Sequence, residues 1–288
     1  MDSRLYLPKL ANPSKTVLEY LAMRFPHIDR QTWHERVNHE QIWFADGTML
    51  QCDTPYRHGI TVVYSRAVAN EPESEESEII VYQDEHILVA DKPHGMVVTP
   101  VGNHVERSLL ARLRRRTRLT ELTPMHRLDR ETAGIILFAV QTEGRKLYHR
   151  LFANKLVERE YLAVARLESV PPERIWNVAN RIVQGEPWFR RRILPGDHPV
   201  NALTRIELRE YRDGLGLFDL RPDTGKKHQL RLHMASIGFP IFGDLLYPEI
   251  REPRPEEPSL QLLAHRLTFA DPLSGESRRF NSLRSLRL

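Results

Sequence analysis

Residues 125–140 read MHRLDRETAGIILFAV. The last six of them, Ile135 to Val140, form an unbroken apolar run, and a run of that length without alternation predicts a buried strand. Immediately before it, four positions carry His126, Arg127, Asp129 and Arg130. A charged, hydrogen-bonding cluster at the mouth of a buried strand is the feature around which the rest of the chain is read.

The bulk numbers set the frame. A chain of 288 residues with 41% apolar residues has enough material for one large domain and a small one. Lys and Arg exceed Asp and Glu by 42 − 38 = 4. The excess is modest, but five acidic residues crowd into EPESEESE (71–78), so the remainder is more basic than the total implies. A basic surface fits a polyanionic partner, and it also fits plain solubility. One cysteine, Cys52, excludes an intrachain disulfide and a thiolate metal cluster, which favours a reducing compartment. The first residues show no signal-peptide pattern, and no apolar run reaches the length of a membrane span. A cytoplasmic protein is the expectation.

Working outward, residues 1–66 predict a small α/β unit. SKTVLEYLAMRF (14–25) has helical spacing with Ser14 as cap and Pro26 as stop. Asp29 opens a second helix, QIWFADGTMLQ (41–51) reads as two short strands around an Asp-Gly turn, and GITVVYS closes the unit as a strand. Residues 67–78 are polar and acidic and read as a linker. From Ile79 onward short strand patterns dominate: EIIVYQ, HILVADK, GMVVTP, EREYLAVAR, ALTRIELREY, LGLFDLRP and the pair HRLTFAD and RRFNSL. Helices are predicted over SLLARLRRRT (108–117), TEGRKLYHRLFAN (142–154) and KKHQLRLHMASIG (226–238). Strands outnumber helices without regular alternation, so residues 79–288 are expected to be α+β, with a mixed, mostly antiparallel central sheet flanked by helices.

Taken alone, Asp129 would be a turn cap or an ion-pair partner. Three neighbouring donors, His126, Arg127 and Arg130, weaken that reading, because nearby cations keep a carboxylate ionised and an ionised, positioned Asp serves as nucleophile or general base. Tyr161 reads equally as core filler or as a ring on which a nucleobase stacks. Lys227 and Arg231, four apart on a predicted helix, share a face, either solvated or set to hold an anion. No metal-ligand spacing and no Gly-rich phosphate-binding or nucleophile-elbow motif is present. No cofactor or metal is expected.

Three stretches in order, ILVADKPHGMVVTP (87–100), HRLDRETAGIILFA (126–139) and TGKKHQLRLHMASIGFPIFGDLLY (224–247), closely resemble the RluA family of pseudouridine synthases, and LLAHRLTFADPLSGE resembles that family's closing segment. The resemblance runs from about Glu78 onward. Residues 1–66 resemble, less specifically, the small S-four-like RNA-binding module often fused to these enzymes. The chain departs from the pattern at Ala133, where the family usually has Ser, and at Lys226-Lys227, where it usually has Arg-Thr. The resemblance implies the pseudouridine synthase fold and the isomerisation of specific uridines in ribosomal RNA, large subunit favoured, or in transfer RNA. It implies base flipping, a catalytic Asp129, Tyr161 packed on the target base, Arg231 paired with the aspartate, and Arg127 helping to displace the nucleotide from its stack.

A strand end is a rigid place to hold a reactive carboxylate. RNA contacts are expected at His126, Arg127 and Lys227. On charge density they are also expected at Arg114, Arg115 and Arg116, with Arg112, Arg118 and Arg190 to Arg192 beside them. RNA is the expected partner and a monomer the expected state. Two other classes stay open on the residues alone: a non-catalytic RNA-binding protein on the same fold, and a glycoside-type hydrolase pairing Asp129 with Glu131.

Overall fold

The structure, a computed structural model, describes residues 2–26, 28–65, 71, 76–102 and 104–287. The chain divides into two compact units, Met1–Glu71 and Pro72–Leu288.

In the first unit, β1 (Asp2–Tyr6), α1 (Val17–Arg24), α2 (Arg30–Asn38), β2 (Ile42–Phe44) and β3 (Thr61–Ser65) follow one another, and the strands pair antiparallel in the order β1-β3-β2. Both helices are capped by side chains that take up orphan amide N–H groups: Thr16 accepts from Glu19 and Asp29 accepts from Thr32. The cap of α1 is thus Thr16 rather than Ser14. Val17, Leu18, Leu21, Trp33, Val37 and Val62 form the core. The Asp46-Gly47 turn is present, but beyond β2 its return leg is reduced to a single bridge between Trp43 and Met49. Strand β1 is an addition to the elements expected from the sequence, where its half-exposed DSRLY offers little apolar signal.

The second unit begins with β4 (Ile79–Gln83) and β5 (Ile87–Lys92), then α3 (Leu109–Thr117), β6 (Thr123–Pro124), β7 (Ala133–Ala139), α4 (Thr142–Ala153) and β8 (Glu158–Arg166). There follow β9 (Ile175–Asn180), β10 (Ile182–Gln184), β11 (Arg191–Ile193), β12 (Ala202–Arg212), β13 (Leu215–Pro222), α5 (Gln229–Ser236), β14 (Leu262–Ala270) and β15 (Ser277–Asn281). The main sheet runs β4-β5-β7-β14-β8-β13-β12-β9, with β15 on β14 and β6 on β7. Among the described residues only β7 and β14 pair in parallel, so the sheet is mixed and mostly antiparallel as expected.

The two halves of the sheet explain their sequence patterns. In β5 and β7 alternate residues feed two different cores. Ile87, Val89, Ile135 and Leu137 pack with Tyr148 and Leu151 of α4, while Leu88, Ala90, Ile136 and Phe138 pack with Leu109 and Leu113 of α3. A strand covered on both faces has no reason to alternate, hence the apolar run. β12 and β13 alternate buried with exposed residues, because only one face meets α5 through Leu230 and Met234. GMVVTP, read as a strand, is a loop whose Met96 and Val98 are buried against α3. Residues 67–70 and 72–75 of the expected linker lie outside the described residues. Glu78, at the end of that stretch, is nearly buried and receives the Arg112 Nε–H at 2.6 Å. It therefore belongs to the folded unit.

Gly134 sits where three strands meet. It pairs with Ala264 of β14, which in turn faces Tyr161 of β8. Its φ is +116°, and a Cβ there would lie 2.3 Å from the Ala264 carbonyl oxygen. Only glycine allows β7 and β14 this close. Gly134→Ala is expected to lower stability by about 2–4 kcal/mol through backbone strain and overpacking, read as a shift in the denaturant midpoint.

Candidate functional site

The row Gly134–Ala264–Tyr161 fixes the floor of the site, because Asp129 lies five residues before Gly134. The turn that carries Asp129 closes with the Thr132 N–H on the Asp129 carbonyl at 3.1 Å. Two residues of β5 and its following loop hold the carbonyls just beyond it. Lys92, fully buried, donates Nζ–H bonds to the oxygens of Pro93, Met96 and Arg130 at 2.9, 2.7 and 3.0 Å. His94 donates its Nδ1–H to the Glu131 carbonyl at 2.7 Å. Burial pulls the Lys92 ammonium down to about 7, opposed by the charges of Glu131 and Asp129. The sequence signal was available, since a lysine ending a buried strand needs such a reason.

Asp129 lines a cavity of about 720 Å³ together with Arg127, Tyr161, Lys227, His228 and Arg231. Its side chain keeps 28% exposure into that open cavity yet is surrounded by protein. Burial raises its carboxyl above the ordinary 3.8, and the charges of Arg231, Lys227 and Lys92 pull the other way. The donors expected to converge on it do not. Arg130 turns to Glu131 at 2.5 Å, and Arg127 points to solvent with no ion pair or hydrogen bond among the described residues. The His126 Nε2 accepts the Leu137 N–H at 3.1 Å, its ring stacks on Phe152 at 4.9 Å, and burial holds it neutral with a pKa of about 3. His126 therefore positions β7 and is not built to grip phosphate. Glu131, the second carboxylate of the hydrolase reading, is held by Arg130.

Arg231 is where the structure departs most from expectation. Its guanidinium forms a two-point bond to Asp244, Nε to Oδ2 at 2.8 Å and Nη2 to Oδ1 at 2.5 Å, with both side chains almost wholly buried. Asp244 is fixed in turn by the amides of Leu246 and Tyr247. Arg231 thus acts on Asp129 through its charge, while its direct partner is Asp244. Lys227 does not share its helical face. α5 begins at Gln229, after His228 takes a left-handed φ of +58°, and Lys227 stands before it, exposed at the cavity. Tyr161 presents a ring to the cavity, and burial keeps its hydroxyl protonated. Arg159, next to it on β8, donates to the carbonyls of Pro222 and Thr224 and holds the loop that leads to Lys227.

The basic run of α3 lies away from the cavity. Arg112 and Arg116 face Glu78, Arg115 faces Glu106, and Arg114 donates to the Leu122 carbonyl at 2.9 Å. None of them lines the cavity. In the β10–β11 hairpin Arg190 and Arg191 are likewise engaged with backbone oxygens, while Arg192 is exposed. Ala133 is fully buried, and between residues 125 and 140 no buried side-chain polar atom is left without a partner, so the missing hydroxyl leaves no orphan. Among the described residues no group of three or more His, Cys, Asp or Glu side chains could hold a metal ion, and no helix is long and apolar enough to cross a membrane.

Comparison with known proteins adds independent findings. The model of the RNA pseudouridylate synthase family matches residues 86–236, just over half of the chain. The dual-specificity RNA pseudouridine synthase RluA of Escherichia coli (strain K12) is 31% identical over 207 residues, covering 71% of this chain and 92% of that protein. An RNA pseudouridine synthase of Synechocystis, itself uncharacterised, is 28% identical over 260 residues and covers 88% of each chain. The solved structure of human RNA pseudouridylate synthase domain containing 1 superposes with a TM-score of 0.60 at 27% identity, covering 75% of this chain and 86% of that one.

Proposed function

Since the chain belongs to the RluA family of RNA pseudouridine synthases and converts uridine to pseudouridine in RNA, we propose that Asp129 is the residue that carries out the isomerisation, in the cavity between β7, β8 and α5. The observation that carries this is the placement of the Asp129 carboxylate in a protein-walled cavity, under the charge of a buried Arg231 and with Tyr161 lining the same cavity, while the other carboxylate there, Glu131, is held by Arg130. The reaction detaches uracil at nitrogen 1 and reattaches it through carbon 5. The base has to leave its stack to reach Asp129, and it has to stay bound while detached and free to turn. The Tyr161 ring supplies a stacking surface for that, and its hydroxyl stays protonated as a donor. Asp129 acts ionised, as nucleophile at the anomeric carbon or as base at a neighbouring proton.

Arg127 and Lys227, both exposed at the cavity and unpaired among the described residues, meet the phosphates around the flipped nucleotide. Arg127→Ala and Lys227→Ala are each expected to reduce the slope of log affinity against log salt by about 1. Arg114→Ala, whose side chain is tied to Leu122, leaves that slope unchanged. An equal loss of slope in all three would mean that surface charge in general, and not this rim, holds the RNA.

The first unit is the S-four-like RNA-binding module, and with it the substrate is structured ribosomal RNA of the large subunit in preference to transfer RNA. The order of two helices followed by strands supports that reading. The enzyme acts as a cytoplasmic monomer. The deciding experiment uses RNA tritiated at carbon 5 of uridine, in ribosomal and transfer preparations, with wild type and Asp129→Asn. Tritium released by wild type alone establishes the role of Asp129, and release by both refutes it.

A further inference from the structure

Among the described residues the Asp129 carboxylate accepts no hydrogen bond, and the polar atom set next to it is Nε2 of His228, 3.8 Å from Oδ1. His228 is 8% exposed and stands in the left-handed region, a strained conformation for a residue with a Cβ, at the junction of the Lys227 loop and α5. Its ring is locked from behind. Nδ1 lies 2.9 Å from the Tyr247 hydroxyl oxygen, and that same oxygen accepts the Arg191 N–H at 2.8 Å. With one lone pair taken by Arg191, the Tyr247 hydroxyl is free to give its proton to Nδ1. An imidazole that accepts at Nδ1 and is neutral carries its hydrogen on Nε2. The opposite tautomer would turn a bare Nε2 lone pair toward a carboxylate.

We propose that His228 is a positioning residue for Asp129: held by Tyr247 as the Nε2–H tautomer, it donates to one carboxylate oxygen and leaves the other free for the reacting nucleotide. Catalytic hydrogen bonds are often long before substrate binds, and 3.8 Å closes to bonding distance with a small rotation of Asp129. The groups around the ring agree with a neutral donor. Arg231, Lys227 and Arg191 add positive charge and Asp244 and Asp129 negative, and burial is the largest influence, holding the imidazolium pKa down to about 3. A neutral donor orients the carboxylate without neutralising the charge it needs.

This inference rests on Asp129 being the reacting group, so its test includes a reading that needs no turnover. With the histidines labelled with nitrogen-15, His228 in the free protein is expected to show Nδ1 unprotonated and Nε2 protonated, and Tyr247→Phe to erode that preference. A protonated Nδ1 in the wild type overturns the proposal whatever the activity. In turnover, His228→Ala is expected to lower kcat on the order of 100-fold, as for loss of one preorganised donor, with KM little changed. His228→Gln, whose amide N–H reaches where Nε2 lies and which bears the same backbone strain, is expected to recover at least about tenfold of that loss. Equal kcat in the Ala and Gln variants, or a wild-type kcat in His228→Ala, overturns it. Wild type that releases no tritium speaks against the proposed function, and the tautomer still decides the geometry.

Discussion

Replacing Asp129 by Asn is expected to lower the rate of pseudouridine formation by about 10³-fold or more, the scale for removing an essential nucleophile or base, while RNA still binds. The substitution is nearly isosteric and leaves Arg231 on Asp244, so the cavity should keep its shape. Stability should move in the opposite direction. The folded carboxyl is raised above its ordinary value of 3.8 by burial. A group raised on folding favours the native state below its unfolded pKa, and this contribution disappears as pH rises through the folded pKa. At pH 7 the ionised Asp129 therefore works against folding, and Asp129→Asn should melt at a higher temperature than wild type. The gap should close as pH falls below 4. The same direction sets the acid limb of the wild-type kcat/KM profile above the ordinary aspartate value. A variant that is inactive but no more stable at neutral pH would show that Asp129 is solvated better than its surroundings imply. Retained turnover would remove Asp129 from the chemistry altogether.

The parts of the fold that were readable in the sequence are those set by local pattern. The apolar run Ile135 to Val140 announced β7 because both of its faces are covered, and the alternation in residues 202–212 and 215–222 announced β12 and β13 because one face is open. The cluster before β7 pointed to Asp129, and the structure sets it in one cavity with Tyr161, Arg231, Arg127 and Lys227. What was missed depends on contacts distant in sequence. Charge density in SLLARLRRRT suggested a phosphate grip, but Arg112 and Arg116 face Glu78, more than thirty residues away. Helical spacing put Lys227 and Arg231 on one face, but with His228 left-handed the helix starts only at Gln229, two residues past Lys227. Asp244, Lys92 and Tyr247 act only through residues they reach in space. Counting charges in one dimension cannot separate a cation facing RNA from one already holding a carbonyl.

Asp244→Asn is expected to destabilise the second unit by about 3–5 kcal/mol, because it leaves the buried Arg231 charge without its counter-ion. The neutral amide can still accept from Leu246 and Tyr247 through its oxygen, so the loss measures the missing charge and not the turn. The two-point geometry and near-complete burial of both partners put this pair beyond the small values of surface ion pairs. A double variant, Arg231→Met with Asp244→Leu, removes both charges and should regain much of that stability, since buried pairs are often replaceable by apolar groups of similar size. Its activity should not return. Asp129 would face an apolar wall, its carboxyl would rise further, and less of it would be ionised at pH 7. The two readings separate the roles of the pair. If the double variant is stable and active, Arg231 serves only the fold. If it is stable and inactive, with its acid limb displaced upward, Arg231 is held in a dry place by Asp244 so that its field reaches the carboxylate one cavity wall away.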